Sequence, residues 1–305
     1  MGTLKMFKSG FIAIIGKPNV GKSTLLNRLV GEKVAITTHK PQTTRNRITG
    51  IRNLENAQLV FVDTPGIHRA HTILNRFLVD TARQAFMNAD LILCLTDAGK
   101  EPDEDDRMIF ESLREMTVPV FLVINKIDLL KKEALLPLID AYRTRYPFRE
   151  IIPLSALKGF NVDRLIGCTV DLLPEGPPHF HPDLFTDLPE RFLAAEMIRE
   201  KLTLITQREV PYAAAVVIDQ FKDDEAKNLI RIQAAIYVEK ESQKGILIGR
   251  KGQMLKEIGR QARIDMEAFF SARIYLELFV RVRKNWTREA RWLHEFGYGG
   301  KSGTS

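Results

Sequence analysis

Along the first 175 positions, apolar residues fall into two alternating textures. Nearly continuous short runs are FIAIIG (11–16), AQLVFVD (57–63), ADLILCLTD (89–97), VPVFLVINK (118–126) and EIIPLSA (150–156). Runs of this kind predict strands buried on both faces. Between them lie STLLNRLVG (23–31), TILNRFLVDTARQAFMNAD (72–90), DEDDRMIFESLREM (103–116), KEALLPLIDAYRTRYP (132–147) and VDRLIGCTVDLLP (162–174), whose apolar residues recur at helical spacing. The stretch from Glu32 to Ile48 is polar, threonine-rich and without period, and reads as a long loop. Strands alternating with helices predict a largely parallel α/β sheet, with its ligand crevice at the strands' carboxyl ends.

The texture changes at PEGPPHFHPDLFTDLP (174–189), where five prolines in sixteen residues predict an extended linker. His179 and His181 lie there with no Cys or further His nearby, so they read as linker surface rather than a metal site. The remainder predicts a helix (190–206), two strands (213–221 and 228–239), two helices broken at a glycine turn (243–270), a strand (272–283) and a basic, aromatic tail helix from Trp286. This α-β-β-α-α-β order is that of a compact α+β domain. The expected organisation is a first domain over 1–175, a linker over 176–189 and a second domain over 190–305.

Charge sharpens the division. From Lys240 to Ser305 there are 14 Lys and Arg against 7 Asp and Glu, while the other 239 residues hold 31 of each. The whole net charge of +7 therefore sits in the last fifth of the chain, where an acidic partner is expected. Cys94 and Cys168 lack metal-ligand spacing, and Cys94 reads as core. The N-terminus has no apolar signal-peptide region, and no apolar run approaches the ~18–20 residues that span a bilayer. The expectation is a cytoplasmic protein.

Candidate chemistry follows the strand ends. Gly16-Lys17-Pro18-Asn19-Val20-Gly21-Lys22-Ser23 fits G-x-x-x-x-G-K-[ST] between a strand and a helix, the setting a phosphate-binding loop requires. Lys22 would reach the outer phosphates and Ser23 would ligate Mg²⁺. Asp63-Thr64-Pro65-Gly66 ends the second strand; its carboxylate can hold Mg²⁺ through water, and the Gly66 N–H can meet a γ-phosphate. In Asn125-Lys126-Ile127-Asp128, a carboxylate can accept from guanine N1–H and its exocyclic amine, a donor pair that adenine lacks. Ser155-Ala156-Leu157 can offer a backbone N–H to guanine O6. Either Thr43 or Thr44 in the polar loop can complete Mg²⁺ coordination, with Thr44 preferred.

With these pieces in order, residues 10–175 resemble the translation-factor-related bacterial GTPases, and GKPNVGKST, PQTTR, DTPGIH and NKID are similar to those of the Era GTPase family. The resemblance implies a Ras-like α/β P-loop NTPase domain followed by an α+β type II KH domain. It also implies binding of the 3′ end of the small-subunit 16S ribosomal RNA, with a role in rRNA processing and 30S assembly. The second match is carried by ILIGRKGQMLKEIG: Gly249, Arg250, Lys251 and Gly252 form a GxxG loop closing on about four nucleotides, with Ile246 and Ile248 as an apolar shelf for bases. Lys284, Arg288 and Arg291 extend the basic face, while Trp286 and Trp292 are expected in core packing.

Ile67 stands where many GTPases carry a water-orienting glutamine, and an aliphatic chain cannot take that role. Asn19 is similar to the asparagine that ligates K⁺ in related K⁺-activated GTPases, so Asn19 with K⁺, Lys22, Thr44 and Gly66 form the expected catalytic set. Slow intrinsic turnover of GTP to GDP follows, stimulated by K⁺ and RNA, in a monomer with weak inner-membrane association. A competing reading is a membrane-associated signalling GTPase whose basic tail meets anionic lipid. A second, a P-loop enzyme modifying RNA or a metabolite, would need an acid–base or nucleophile cluster that this sequence does not offer.

Overall fold

The computed structural model describes residues 6–40, 43–66, 88–114, 116–206 and 209–298. These divide into two compact units: one comprises the described residues among 6–35, 44–66 and 88–187, the other 36–40, Thr43 and those from Leu188 onward. The helix expected over 72–90 lies mostly outside the described residues, as does Ile67.

In the first unit, strands β1 (Lys8–Gly16), β2 (Ile48–Leu54), β3 (Ala57–Asp63), β4 (Leu91–Asp97), β5 (Val120–Asn125) and β6 (Glu150–Pro153) form one sheet in the order β2-β3-β1-β4-β5-β6. Every neighbouring pair is parallel except β2–β3, a hairpin. The continuous apolar runs are the central strands, and Ile12, Ile14, Val60, Leu93 and Val123 are all fully buried. Strand β2 has no counterpart among the expected elements. Its sequence, ITGIRNL, neither alternates nor runs apolar, and it is a strand because the edge of β3 offers it a ladder.

Helices α1 (Lys22–Val30), α2 (Glu104–Leu113), α3 (Lys132–Arg143) and α4 (Val162–Leu172) follow the predicted segments. Helix α2 begins in a capping box, the Asp103 carboxylate accepting from the N–H groups of Asp105 and Asp106 while Asp106 accepts from that of Asp103. The proline-rich segment has no helix or strand of its own but bends and turns at Pro182–Asp183, where the sequence predicted extended chain, and it is strapped to the first unit. Gln58 accepts from the N–H groups of His179 and Phe180, Asn53 donates to the carbonyls of Pro182 and Leu184, and Ile51 N–H donates to the Phe185 carbonyl.

In the second unit, β7 (Ala215–Asp224), β8 (Leu229–Val238) and β9 (Arg273–Val282) form a three-stranded sheet in that order, antiparallel then parallel. Helices α5 (Glu190–Ile205), α6 (Glu241–Ile248) and α7 (Gln253–Phe270) share a core with it that includes Ile198, Leu202, Ile232, Leu247, Ile258 and Met266. The tail is less helical than expected: a single turn at Trp286–Arg288, then α8 (Ala290–Glu295). Trp286 is fully buried and its indole N–H donates to the Ala213 carbonyl (2.9 Å), whereas Trp292 is half-buried beneath the guanidinium of Arg283 (3.9 Å). Among the described residues no helix is long and apolar enough to cross a membrane.

Candidate nucleotide site and nucleic-acid interface

The loop from Gly16 to Gly21 joins β1 to α1, with Asn19 and Gly21 at positive φ (65° and 99°). A side chain at residue 21 would put its Cβ 2.2 Å from the Asn125 amide nitrogen, so only glycine lets the loop and β5 come this close. The Lys22 ammonium is buried and donates to the carbonyls of Gly16 (3.1 Å) and Lys17 (3.0 Å), which holds it across its own loop. Asn19 is exposed, and Val20 is core.

Three oxygen-bearing side chains converge beside Lys22. Ser23 Oγ donates to Asp63 Oδ2 (2.7 Å), and Thr44 Oγ1 lies 2.7 Å from Ser23 Oγ and 3.2 Å from the same carboxylate oxygen. The Thr43 hydroxyl instead bonds the Lys40 carbonyl and the Thr38 hydroxyl, both at 2.7 Å, so the geometry singles out Thr44. Asp63 Oδ1 is buried and makes no hydrogen bond among the described residues. Burial pushes the Asp63 carboxyl up and the Lys22 ammonium down, with attraction between the two working against both shifts. A buried carboxylate with one oxygen unpartnered, flanked by two hydroxyls, is a hard all-oxygen donor set that fits Mg²⁺. The Thr64 hydroxyl donates to the Ile14 carbonyl (2.9 Å), which fastens the turn to β1; Pro65 is buried and Gly66 lies against Pro18.

At the other end of the site, the Asn125 amide does not face outward. It donates to the Val20 carbonyl (2.8 Å) and accepts from the N–H groups of Lys126 (2.8 Å) and Ala156 (2.9 Å), tying three loops together. Lys126, at φ 66°, donates to the Asn19 carbonyl (2.8 Å) and to Asp97 (2.7 Å). Ile127 is half-buried and Asp128 is exposed at the rim. In the next loop the Ser155 hydroxyl accepts from Lys158 N–H (3.1 Å), and Arg28 of α1 braces the carbonyls of Ala156 (3.1 Å) and Leu157 (2.7 Å). Asp97 and Arg28 were not among the expected site residues. The sequence signal for Asp97 is its place at the end of a strand, whereas Arg28 carries none. Lys17 is a further surprise: its ammonium is buried on Asp103 and Asp106.

The second unit presents the GxxG segment as expected. Helix α6 ends at Gly249, Arg250–Gly252 makes a single tight turn with Lys251 at φ 52°, and α7 starts at Gln253. Gly252 is at φ 77° with no atom within 4 Å of where a side chain would begin, which leaves room for a sugar-phosphate backbone. Arg250 and Lys251 are exposed, Ile246 is 47% exposed, Ile248 is half-buried, and Leu247 points into the core. Beside the turn, α7 and β9 enclose a groove of about 580 Å³, lined by Gly252, Leu255, Lys256, Gly259, Arg260, Arg263 and the start of β9. Strand β9 is an outer strand of its sheet, so its main chain is available at the groove. Lys256, Arg260 and Arg263 escaped the sequence reading, although their spacing of four and three residues marks one helix face. The exposed Lys284, Arg288 and Arg291 add to the basic surface.

A phosphate loop, a buried Ser–Thr–Asp cluster suited to Mg²⁺ and the Asn125–Asp128 turn at the rim mark a P-loop GTPase, and the second unit has the fold of a KH domain. Family comparison agrees, matching residues 11–126 to the 50S ribosome-binding GTPase family and residues 209–287 to the KH domain. The GTPase Era of Syntrophus aciditrophicus (strain SB) is 62% identical, over 96% of both chains, and that of Geotalea uraniireducens (strain Rf4) is 56% identical over 97% of this chain and 99% of its own. The chain belongs to the Era GTPase family. Its fold is similar to that of Aquifex aeolicus Era bound to GDP and AlF₄⁻ (TM-score 0.93, 44% identity, 96% of this chain and 100% of that one). It is equally similar to an Era in complex with MgGDPNP and nucleotides 1506–1542 of 16S ribosomal RNA (TM-score 0.93, 44% identity, 96% and 99%). The chain is thus a GTP-hydrolysing enzyme with an RNA-binding module.

Proposed function

We propose that this GTPase binds the 3′ end of 16S ribosomal RNA in the groove between α7 and β9 and acts as a nucleotide-governed switch in rRNA processing and assembly of the 30S subunit. The observation that carries the reading is the GRKG turn opening onto a basic groove, in a chain 44% identical to an Era solved with that RNA. Arg250, Lys251, Lys256, Arg260 and Arg263 attract phosphate, the Gly252 backbone admits close approach, and Ile246 and Ile248 offer apolar surface to bases.

In the GTPase unit, the N–H groups of Gly16 to Gly21 and the N-terminus of α1 cradle phosphates, and Lys22 neutralises charge on the outer ones. Ser23 and Thr44 would hold Mg²⁺ directly and Asp63 through water, and the ion supplies neutralisation of charge on the phosphate oxygens. Gly66 N–H senses the γ-phosphate, and Asp128 selects guanine. Asn125 and Ser155–Leu157 keep the base loops in register. Since the Ile67 side chain offers no polar atom, Asn19 would hold a K⁺ ion whose charge would supply transition-state stabilisation, and turnover would be slow until K⁺ and RNA are present. Equal rates in K⁺ and Na⁺ together with an unaffected Asn19→Ala variant would remove the K⁺ role.

The same reading makes the protein a cytoplasmic monomer. Lys284, Arg288 and Arg291 give it at most a weak hold on the anionic inner membrane, which vesicle flotation would report. The deciding experiment compares binding of a 16S 3′-end oligonucleotide in GDP and in a GTP analogue, for wild type and Gly252→Asp. Aspartate would be strained at φ 77° and would carry negative charge toward phosphate, so affinity should fall by about tenfold or more. Unchanged RNA affinity in that variant would end the groove assignment, and identical affinity in both nucleotides would end the switch.

A further inference from the structure

The side chain of the second residue of the phosphate loop is committed to two carboxylates, and its environment is costly. Lys17 Nζ lies 2.7 Å from Asp106 Oδ2 and 2.8 Å from Asp103 Oδ2; its own side chain is 8% exposed and that of Asp106 is 4% exposed. Both carboxylates are held in turn by the capping box that starts α2. At its other end, the same lysine's backbone carbonyl accepts from Lys22 Nζ at 3.0 Å, next to the Gly16 carbonyl. One residue thus joins two contacts: its side chain is bolted to the first turn of α2, and its main chain holds the lysine that meets the phosphates.

Burying an ammonium and a carboxylate together gains little net stability over apolar residues of the same size, because both must leave water. What such a pair does provide is direction. The ammonium sits within hydrogen-bond reach of two carboxylates that are themselves held at the start of α2, which ties the loop to that helix as an apolar side chain would not.

We infer that Lys17 is a positioning residue: its buried anchor on Asp103 and Asp106 orients the Lys17 carbonyl, and through it Lys22, so that the loop is arranged for phosphate before nucleotide arrives. The inference deepens the GTPase reading and leaves the RNA groove untouched. A preorganised loop avoids ordering its backbone on binding, so removing the anchor weakens GDP and GTP alike, and it lowers kcat as well because Lys22 also serves the transition state.

The test uses the full-length protein, fluorescent GDP and GTP titrations, steady-state GTPase kinetics and thermal unfolding. Lys17→Met should weaken both nucleotides about tenfold, with a lower kcat, and should also unfold earlier because Asp106 is left buried and unpaired. Lys17→Met combined with Asp106→Asn removes that stranded charge. The double variant should regain most of the lost melting temperature yet keep the weak nucleotide binding. Lys17→Arg, which can still bridge both carboxylates, should recover affinity and kcat. If affinity returns together with stability in the double variant, the pair is only structural and the inference falls. It falls equally if Lys17→Met binds GDP as wild type does. RNA affinity of the nucleotide-free protein stays unchanged in all three variants, which separates this outcome from a failure of the RNA assignment.

Discussion

Replacing Asn125 with alanine should loosen the nucleotide site by releasing the loops that form it. The side chain makes three hydrogen bonds, to the Val20 carbonyl and from the N–H groups of Lys126 and Ala156. Two of these ends, at Val20 and Ala156, are buried; the one at Lys126 is partly buried and can turn to water. A buried polar group left without its partner costs about 1–3 kcal/mol, so two of them predict a loss of about 2–4 kcal/mol once some relaxation is allowed. For a unit of this size that corresponds to a fall in melting temperature of roughly 5–15 °C. Because the three bonds join the phosphate loop, the base-reading loop and the Ser155–Leu157 loop, GDP affinity should fall with stability, by about 10- to 100-fold. Asn125→Asp sharpens the argument. It keeps both acceptor bonds but turns a carboxylate oxygen toward the Val20 carbonyl, so it should do no better than alanine. Scanning fluorimetry and titration with fluorescent GDP measure both effects. An Asn125→Ala protein melting within about 1 °C of wild type and binding GDP within twofold would refute the claim that this amide holds the loops together.

Three further outcomes follow from the geometry. Burial works to raise the Asp97 carboxyl, but hydrogen bonds from Lys126 and from Gly99 N–H outweigh it and hold the group below the ordinary carboxylate range. Its stabilisation is therefore complete above its unfolded pKa of about 3.9 and is lost as pH falls through the depressed folded value. Asp97→Asn should accordingly cost about 1–2 kcal/mol at neutral pH, with the two unfolding curves converging in acid. Asp128→Asn should lower GTP affinity at least about 100-fold while improving XTP, whose 2-oxo group accepts where guanine donates; competition titrations with both nucleotides would show an unchanged preference if Asp128 does not read the base. Trp286→Phe leaves the Ala213 carbonyl without its indole donor in a fully buried site, so the KH unit should lose about 2–3 kcal/mol by hydrogen-exchange protection, with GDP binding unchanged.

Much of the fold is legible in local pattern. Central strands such as FIAIIG and VFLVIN are apolar because both faces are covered, and each predicted helix among the described residues appears where its period places it. The tail is the weakest of these, reduced to a turn and a short helix in which Trp286 packs inward. The hairpin strand β2 is not legible, since its only reason to be extended is the free edge of β3 beside it. The proline-rich segment is legible as irregular chain, but its strapping to Gln58 and Asn53 is not, because these partners stand more than a hundred residues away.

The site divides the same way. Phosphate is grasped by consecutive backbone N–H groups, and a groove-facing GxxG turn by four adjacent residues, so both functions must be written as short contiguous motifs and can be read as such. Sequence alone thus determined that the chain binds a guanine nucleotide in its first domain and RNA in its second. It preferred Thr44 to Thr43 without a firm separation, because adjacent residues share most local properties. The fold sets Thr44, and not Thr43, beside Asp63 and Ser23, nineteen and twenty-one residues away. Nor could the sequence show that Asn125 braces loops, that Lys17 is anchored on Asp103 and Asp106, or that Lys256, Arg260 and Arg263 share a groove with β9. The first two are pairings between residues distant in sequence that leave no spacing in the chain, and the helical spacing of Lys256, Arg260 and Arg263 marks a face without saying that β9 lies beside it.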